Sequence, residues 1–138
     1  DHALEMAESI VISAVDMISE DESYYRSSLL ASDHLMQTGE HAKESRKLGL
    51  RASAMQTAAI KKAQRTRQLK GDIDATLLGR QIFRHYQLTS REWMYRLINQ
   101  DQFKSRALLG IYICLMADAN ESLRQTLIKK VSDLSQRI

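Results

Sequence analysis

The 138-residue sequence has no proline, only five glycines and a single cysteine. An all-β domain of this size turns on many Gly and Pro residues, so their scarcity argues against sandwiches and barrels and for a few long helices. The one cysteine, Cys114, excludes an internal disulfide and a cysteine-based zinc site, and suits a reducing, cytoplasmic compartment. No apolar run approaches the roughly 18–20 residues of a membrane span, so no membrane partner is expected. No signal-peptide pattern opens the chain. Chemical motifs are missing as well. The four histidines, His2, His34, His41 and His85, show neither Glu-x-x-His nor His-Glu-x-x-His spacing. His34 and His41 share a face only if one helix continues through Gly39, where a stop is expected. There is no Gly-rich phosphate loop and no Gly-x-Ser-x-Gly elbow. Cys114 sits in an apolar helical pattern and reads as a small core residue. The expectation is a protein that is not an enzyme, with no catalytic residues, no metal and no cofactor.

Apolar residues at 43% and charged residues at 27% are ordinary for a globular domain. The length suits one domain with one core. Charge is uneven: residues 1–45 hold ten acids and two bases, and residues 46–138 hold seven acids and eighteen bases. The densest basic cluster is Lys61, Lys62, Arg65, Arg67 and Lys70. No aromatic residue interleaves with it, so it offers no stacking platform for a single nucleic-acid strand and reads as a solvated helix face. The chain opens at Asp1 inside a helical pattern, as expected of a piece of something longer.

Hydrophobic periodicity predicts an all-α fold of about six helices. The first covers about His2–Ser19, with Leu4, Ala7, Val11, Ala14 and Ile18 as its stripe. The second covers about Tyr24–Thr38, capped by Ser23 and stopped by Gly39. The third covers about Glu40–Leu69, with a narrow face of Leu48, Ala52, Met55, Ala59 and Ala63 and a bend or division at Gly49. Gly71 closes it, and Asp72 or Asp74 caps the fourth, about Ala75–Asn99. The fifth covers about Asp101–Ala117. The sixth, about Asn120–Gln136, is capped by Asn120 and carries a one-sided seam of Leu123, Leu127, Val131 and Leu134. The apolar arcs of the fourth and fifth are wide, which predicts helices packed on two sides.

Two groups of residues suggest a ligand pocket, because pockets between helices combine an apolar lining with a few polar groups. One is Tyr86, Gln87, Ser90, Trp93 and Met94 on the fourth helix. The other is Tyr25, Ser28, Ser32, Met36, Met55 and Gln56 on the second and third. The candidate ligand-binding set is Tyr25, Ser28, Met36, Met55, Gln56, Tyr86, Ser90 and Trp93.

The stretch Ala63-Gln64-Arg65-Thr66-Arg67-Gln68-Leu69-Lys70-Gly71-Asp72-Ile73-Asp74 resembles a recurrent element of TetR-type bacterial transcription regulators. There a polar turn and a Gly/Asp break lead into a long helix. Here that helix begins at Ala75 with Leu77-Leu78 and Ile82-Phe83 and has Trp93 near its end. Asp101-Gln102-Phe103 leading into Leu108-Leu109-Gly110 is also similar. The resemblance covers Ala63–Ala117 in sequence and nearly the whole chain in layout. It implies that residues 1–138 are the C-terminal effector-binding and dimerisation domain of such a regulator, with a repressor expected. The N-terminal helix-turn-helix head that reads operator DNA is absent from the sequence. It implies a homodimer, with the two long helices of each subunit in a four-helix interface. Phe83, Leu97, Leu108, Tyr112 and Leu115 are the expected interface residues. It implies a small-molecule effector between the first four helices, whose binding shifts the first helix and the spacing of the heads. The alternative is a helical protein–protein interaction module with no small-molecule ligand, suggested by the simple seam of the sixth helix.

Overall fold

The computed structural model describes residues 2–39 and 42–138; for residues 2, 37, 38, 42, 44–46, 48, 49 and 52 it describes the helical backbone alone. Six helices follow one another: α1 (His2–Glu20), α2 (Glu22–Thr38), α3 (Ala42–Arg65), α4 (Ala75–Met94), α5 (Gln100–Met116) and α6 (Glu121–Ser135). Among the described residues there is no strand, and the domain is all-α as the periodicity predicts. α3 runs unbroken through Gly49. The third-helix positions Leu48 and Ala52, and His2 and His41, lie outside the described side chains.

The apolar stripes meet in one core. Val15, Ile60, Leu69, Trp93, Phe103, Ile111 and Leu127 are its most enclosed members. Burying a side chain of this size stabilises by about 1.5–3 kcal/mol. α1, α3, α4 and α5 form the central bundle, with α6 on the outside of α5 and α2 against α4. Two glycines set the closest crossings. A Cβ on Gly79 would stand 2.3 Å from the Thr57 hydroxyl, and one on Gly110 would stand 2.0 Å from the His85 ring. Side chains at 79 and 110 are therefore incompatible with the α3–α4 and α4–α5 spacing. α1 is gripped from both sides: Gln56 Nε2 on α3 donates to the Ala7 carbonyl at 3.1 Å, and Gln100 Nε2 on α5 donates to the Val15 carbonyl at 3.0 Å.

The helix ends correct the sequence reading. α2 starts earlier, at Glu22, because Asp21 caps it rather than Ser23. α3 stops at Arg65, where Gln68 N–H reaches the Ala63 carbonyl and Arg67 N–H the Gln64 carbonyl, with Arg67 at φ 64°. α4 stops at Met94 by the same pattern, Leu97 to Glu92 and Arg96 to Trp93, with Arg96 at φ 61°. Both are Schellman turns with arginine in the left-handed position usually held by Gly or Asn, so no stop residue marks them. Asp74 caps α4, Asn120 caps α6, and Asn99 with Gln102 closes a capping box on α5.

The loop after α3 is locked to the loop after α5. Lys70 N–H donates to the Asp118 carbonyl and Asn120 N–H to the Gln68 carbonyl, flanking a single antiparallel bridge between Leu69 and Ala119. The buried Asp118 carboxylate accepts from the N–H groups of Gly71, Asp72 and Ile73 at 2.8–3.2 Å, and from Gln64 Nε2 at 3.3 Å. Asn120 Nδ2 adds a bond to the Arg67 carbonyl. A non-helical junction between two helix pairs thus has its buried donors satisfied by one side chain.

Candidate functional site

An aromatic wall forms where α4 meets α5. Phe103 opens the buried face of α5, and its ring centroid lies 5.6 Å from Trp93 and 5.8 Å from Tyr86. Tyr86, Ser90 and Trp93 recur at helical spacing along one face of α4; Ser90 and Trp93 are buried and Tyr86 is half-buried. Burial pushes the Tyr86 phenol up to about 12, because the phenolate is poorly solvated there.

α2 lies over this wall. None of its described side chains is buried; Tyr25, Leu29 and Leu30 are half-buried against the core. Two polar clasps, two turns apart, hold it to α4. At the first, the Arg26 guanidinium lies 4.2 Å from the centre of the Trp93 ring. Arg26 reaches Glu22 on its own helix at 3.8 Å, and its Nε is buried without a hydrogen-bond partner. At the second, the Asp33 carboxylate accepts from the Tyr95 hydroxyl at 2.6 Å and from Arg91 at 3.4 Å. The hydrogen bond to Asp33 is the main cause that raises the Tyr95 phenol, since the anionic acceptor favours the protonated form.

The structure brings Tyr25, Tyr86, Ser90 and Trp93 to the α2–α4 region and scatters the rest of the expected ligand set. Ser28 and Met36 are exposed on α2, and Met55 is 60% exposed on α3. Gln56 is buried but points to α1, where it holds the Ala7 carbonyl. Met55 and Gln56 are neighbours about 100° apart on the helix, and here Gln56 takes the inward place while Met55 faces out. Ser32 and Gln87, weighed beside them, are also exposed. Arg26, Asp33 and Phe103 escaped the sequence reading as site residues. The available signal for Arg26 was its being one of only two bases among residues 1–45.

The expected dimer residues separate in the same way. Tyr112 and Leu115 are buried in this chain's own core. The Tyr112 hydroxyl donates to Glu8, which also takes Lys130 at 3.1 Å, while the Lys130 ammonium lies 5.6 Å from the Tyr112 ring centre. Burial, then the bond to Glu8, raise the Tyr112 phenol above its ordinary range. Leu108 is half-buried and packed on the core, and Phe83 is half-buried. Leu97 is 73% exposed, beyond the end of α4. The exposed apolar residues along α4 and α5 are Leu77, Leu88 and Ile113.

Other spaces in the molecule differ from these sites. A void of about 10 Å³ between α1, α3, α5 and α6 holds at most a water molecule. An open groove of about 310 Å³ runs between α3 and α4 past Ser53, Thr57, Lys61 and Arg80. Cys114 is half-buried and burial raises its thiol, which suits a packing role over a nucleophilic one. Among the described residues no group of three or more His, Cys, Asp or Glu could hold a metal ion. No described helix is long and apolar enough to cross a membrane. The seam of α6 is closed by its own chain, with Leu123 and Leu127 buried in the core and Val131 and Leu134 packed on it.

A scan of the chain against protein-family models, a search of curated proteins and a search of solved structures each find no match.

Proposed function

We propose that this chain is the effector-binding and dimerising domain of a ligand-responsive transcription regulator of TetR type. The effector sits beneath α2, against Tyr86, Ser90 and Trp93. The observation that supports this reading is the way α2 is held. A helix with no buried side chain among those described, fixed by two polar clasps, lies at Trp93 against the Tyr86–Phe103–Trp93 aromatic cluster. Lifting α2 uncovers a wall of Tyr86, Trp93 and Phe103 while the α1–α3–α4–α5 core stays assembled.

Asp21 alone separates α1 from α2, so a ligand that displaces α2 pulls directly on α1. In a regulator of this type α1 leads to a helix-turn-helix head, and operator DNA is read by that head. Effector and operator then compete by differential affinity for two arrangements of the dimer, with a coupling of about 1–3 kcal/mol. The partner surface in this reading is the outer side of α4 and α5. Leu77 and Leu88 on α4 and Ile113 on α5 flank the seam where His85 meets the Arg106 carbonyl. Leu88→Asp with Ile113→Asp is expected to convert a dimer to a monomer in sedimentation equilibrium. The dimer reading fails if parent and double variant sediment alike.

The effector reading is tested by a thermal-shift panel of small aromatic compounds. Saturating ligand raises the melting temperature in proportion to RT ln(1 + [L]/Kd), and Trp93→Ala is expected to abolish the shift. A shift that survives Trp93→Ala would place the effector elsewhere.

A further inference from the structure

We infer that the contact between α2 and α4 opens to take flat aromatic carboxylates, with Trp93 as the stacking surface and Arg26 as the carboxylate anchor. This rests on the effector reading above and names its ligand class.

The argument begins with charge. Arg26 is one of two bases among the first 45 residues, which carry ten acids. A guanidinium in such surroundings is expected to be saturated by carboxylates. Arg26 is not. Its side chain is only 14% exposed, yet its one ion-pair contact, Glu22, stands at 3.8 Å and is itself 46% exposed. Its Nε lies buried without an acceptor. A guanidinium presents five donors in a fixed planar fork that matches a carboxylate edge-on, and a buried donor left unmade is unfavourable. The other arginine at this edge, Arg91, already faces Asp33 at 3.4 Å. Arg106 Nε is likewise without a partner, but that guanidinium is held by Glu92 at 2.9 Å, so Arg26 carries the open donor over Trp93.

The second part is shape. The guanidinium lies 4.2 Å from the centre of the Trp93 ring. The ring face thus already accepts a thin, planar, delocalised group, and Phe103 and Tyr86 continue the wall beside it. An aromatic ring has the thickness to take that place, offset-stacked on Trp93. Its carboxylate then meets the Arg26 fork as the side chain swings off the ring. A neutral aromatic leaves the Nε donor unmade, and a cationic one meets Arg26 as a like charge. A saturated ring is too thick to stack. The combination of flatness and negative charge is what both residues satisfy at once.

Trp93 is the only tryptophan, so its emission reports this site and no other. The whole chain is titrated at constant ionic strength with benzoate, benzyl alcohol, cyclohexanecarboxylate and acetate. Benzoate is expected to shift Trp93 emission saturably, with the other three at least tenfold weaker. In Arg26→Gln the benzoate and benzyl alcohol curves are expected to converge. Arg26→Lys keeps the charge without the fork and is expected to recover part of the preference. Far-ultraviolet circular dichroism checks that each variant is folded. Equal affinity for benzoate and benzyl alcohol in the parent, or unchanged benzoate affinity in folded Arg26→Gln, overturns the carboxylate anchor and leaves the effector site standing. If none of the four compounds moves the emission or the melting temperature, the anchor and the effector site beneath α2 both fall.

Discussion

Two regions of this molecule are held by polar contacts, and they are built in opposite ways. At the junction of the α3–α4 and α5–α6 loops, one buried carboxylate, Asp118, takes three backbone N–H groups and a side-chain amide. At α2, the contacts are an arginine lying on a ring and a half-buried carboxylate shared between an exposed tyrosine and an exposed arginine. The first network is enclosed and saturated. The second is peripheral and leaves a donor open. Enclosed hydrogen bonds to a charged acceptor are worth about 1.5–3 kcal/mol each, and exposed ion pairs about 0–1 kcal/mol. The lesson is that helix order alone does not set local stability. Loops can be the fixed part of an all-α domain, and a full-length helix can be its loosest element.

That contrast can be broken from the strong side first. Asp118→Ala strips the acceptor from three N–H groups at once and is expected to destabilise the fold by about 3–5 kcal/mol in urea unfolding. A loss below about 1 kcal/mol would mean that the loops hold together without the carboxylate. Gly110→Ala drives a methyl group into the His85 ring and is expected to cost about 1–3 kcal/mol. Combining it with His85→Ala should recover part of the loss, because the two act at one contact.

The alkaline limb of stability tests the aromatic wall. Burial raises the Tyr86 phenol from its ordinary value of 10.0 to about 12. A folded-state value raised above the unfolded one gives a contribution that is complete below pH 10 and is lost as pH rises from 10 towards 12. Tyr86→Phe is expected to make that limb shallower, with Tyr112 and Tyr95 keeping the rest of the slope, and an unchanged slope would show that Tyr86 contributes nothing to it. The smallest effect is expected at α2. Asp33→Ala should lower global stability by no more than about 1 kcal/mol. Amide exchange in α2 should nevertheless quicken well before any exchange change in α5, and a uniform quickening would erase the distinction between the two regions.

Much of the architecture was legible in the residues. Stripes at spacings of three and four placed all six helices in order; Asn120 announced one cap, and of Asp72 and Asp74, the two offered for another, Asp74 fills it. The ends of α3 and α4 were not legible, because arginine at a left-handed turn leaves no compositional mark. The placing of Leu97 on the fourth helix failed with that boundary. Asp118 was hidden for a different reason. Its role depends on a loop 45–47 residues away in sequence, and no local pattern encodes such a pairing. At the candidate site, Trp93 and Tyr86 followed from bulk at helical spacing. Met36 and Met55 are exposed instead, because the rotational phase of a helix with a narrow apolar face is set by its neighbours and not by its own sequence. Small residues along α3 left that phase open, and the inward position fell to Gln56.

The two glutamines that grip α1, Gln56 and Gln100, carry a mechanical consequence. Their amides seize carbonyls eight residues apart, one from α3 and one from α5, a span of about 12 Å at 1.5 Å per residue. A turn of α1 by one residue, about 100°, would swing both carbonyls away from their donors together. The helix is therefore keyed like a shaft in a slot. It resists twisting about its axis, and a force applied at its α2 end travels to the other end as tilt or as a lengthwise slide of the whole rod.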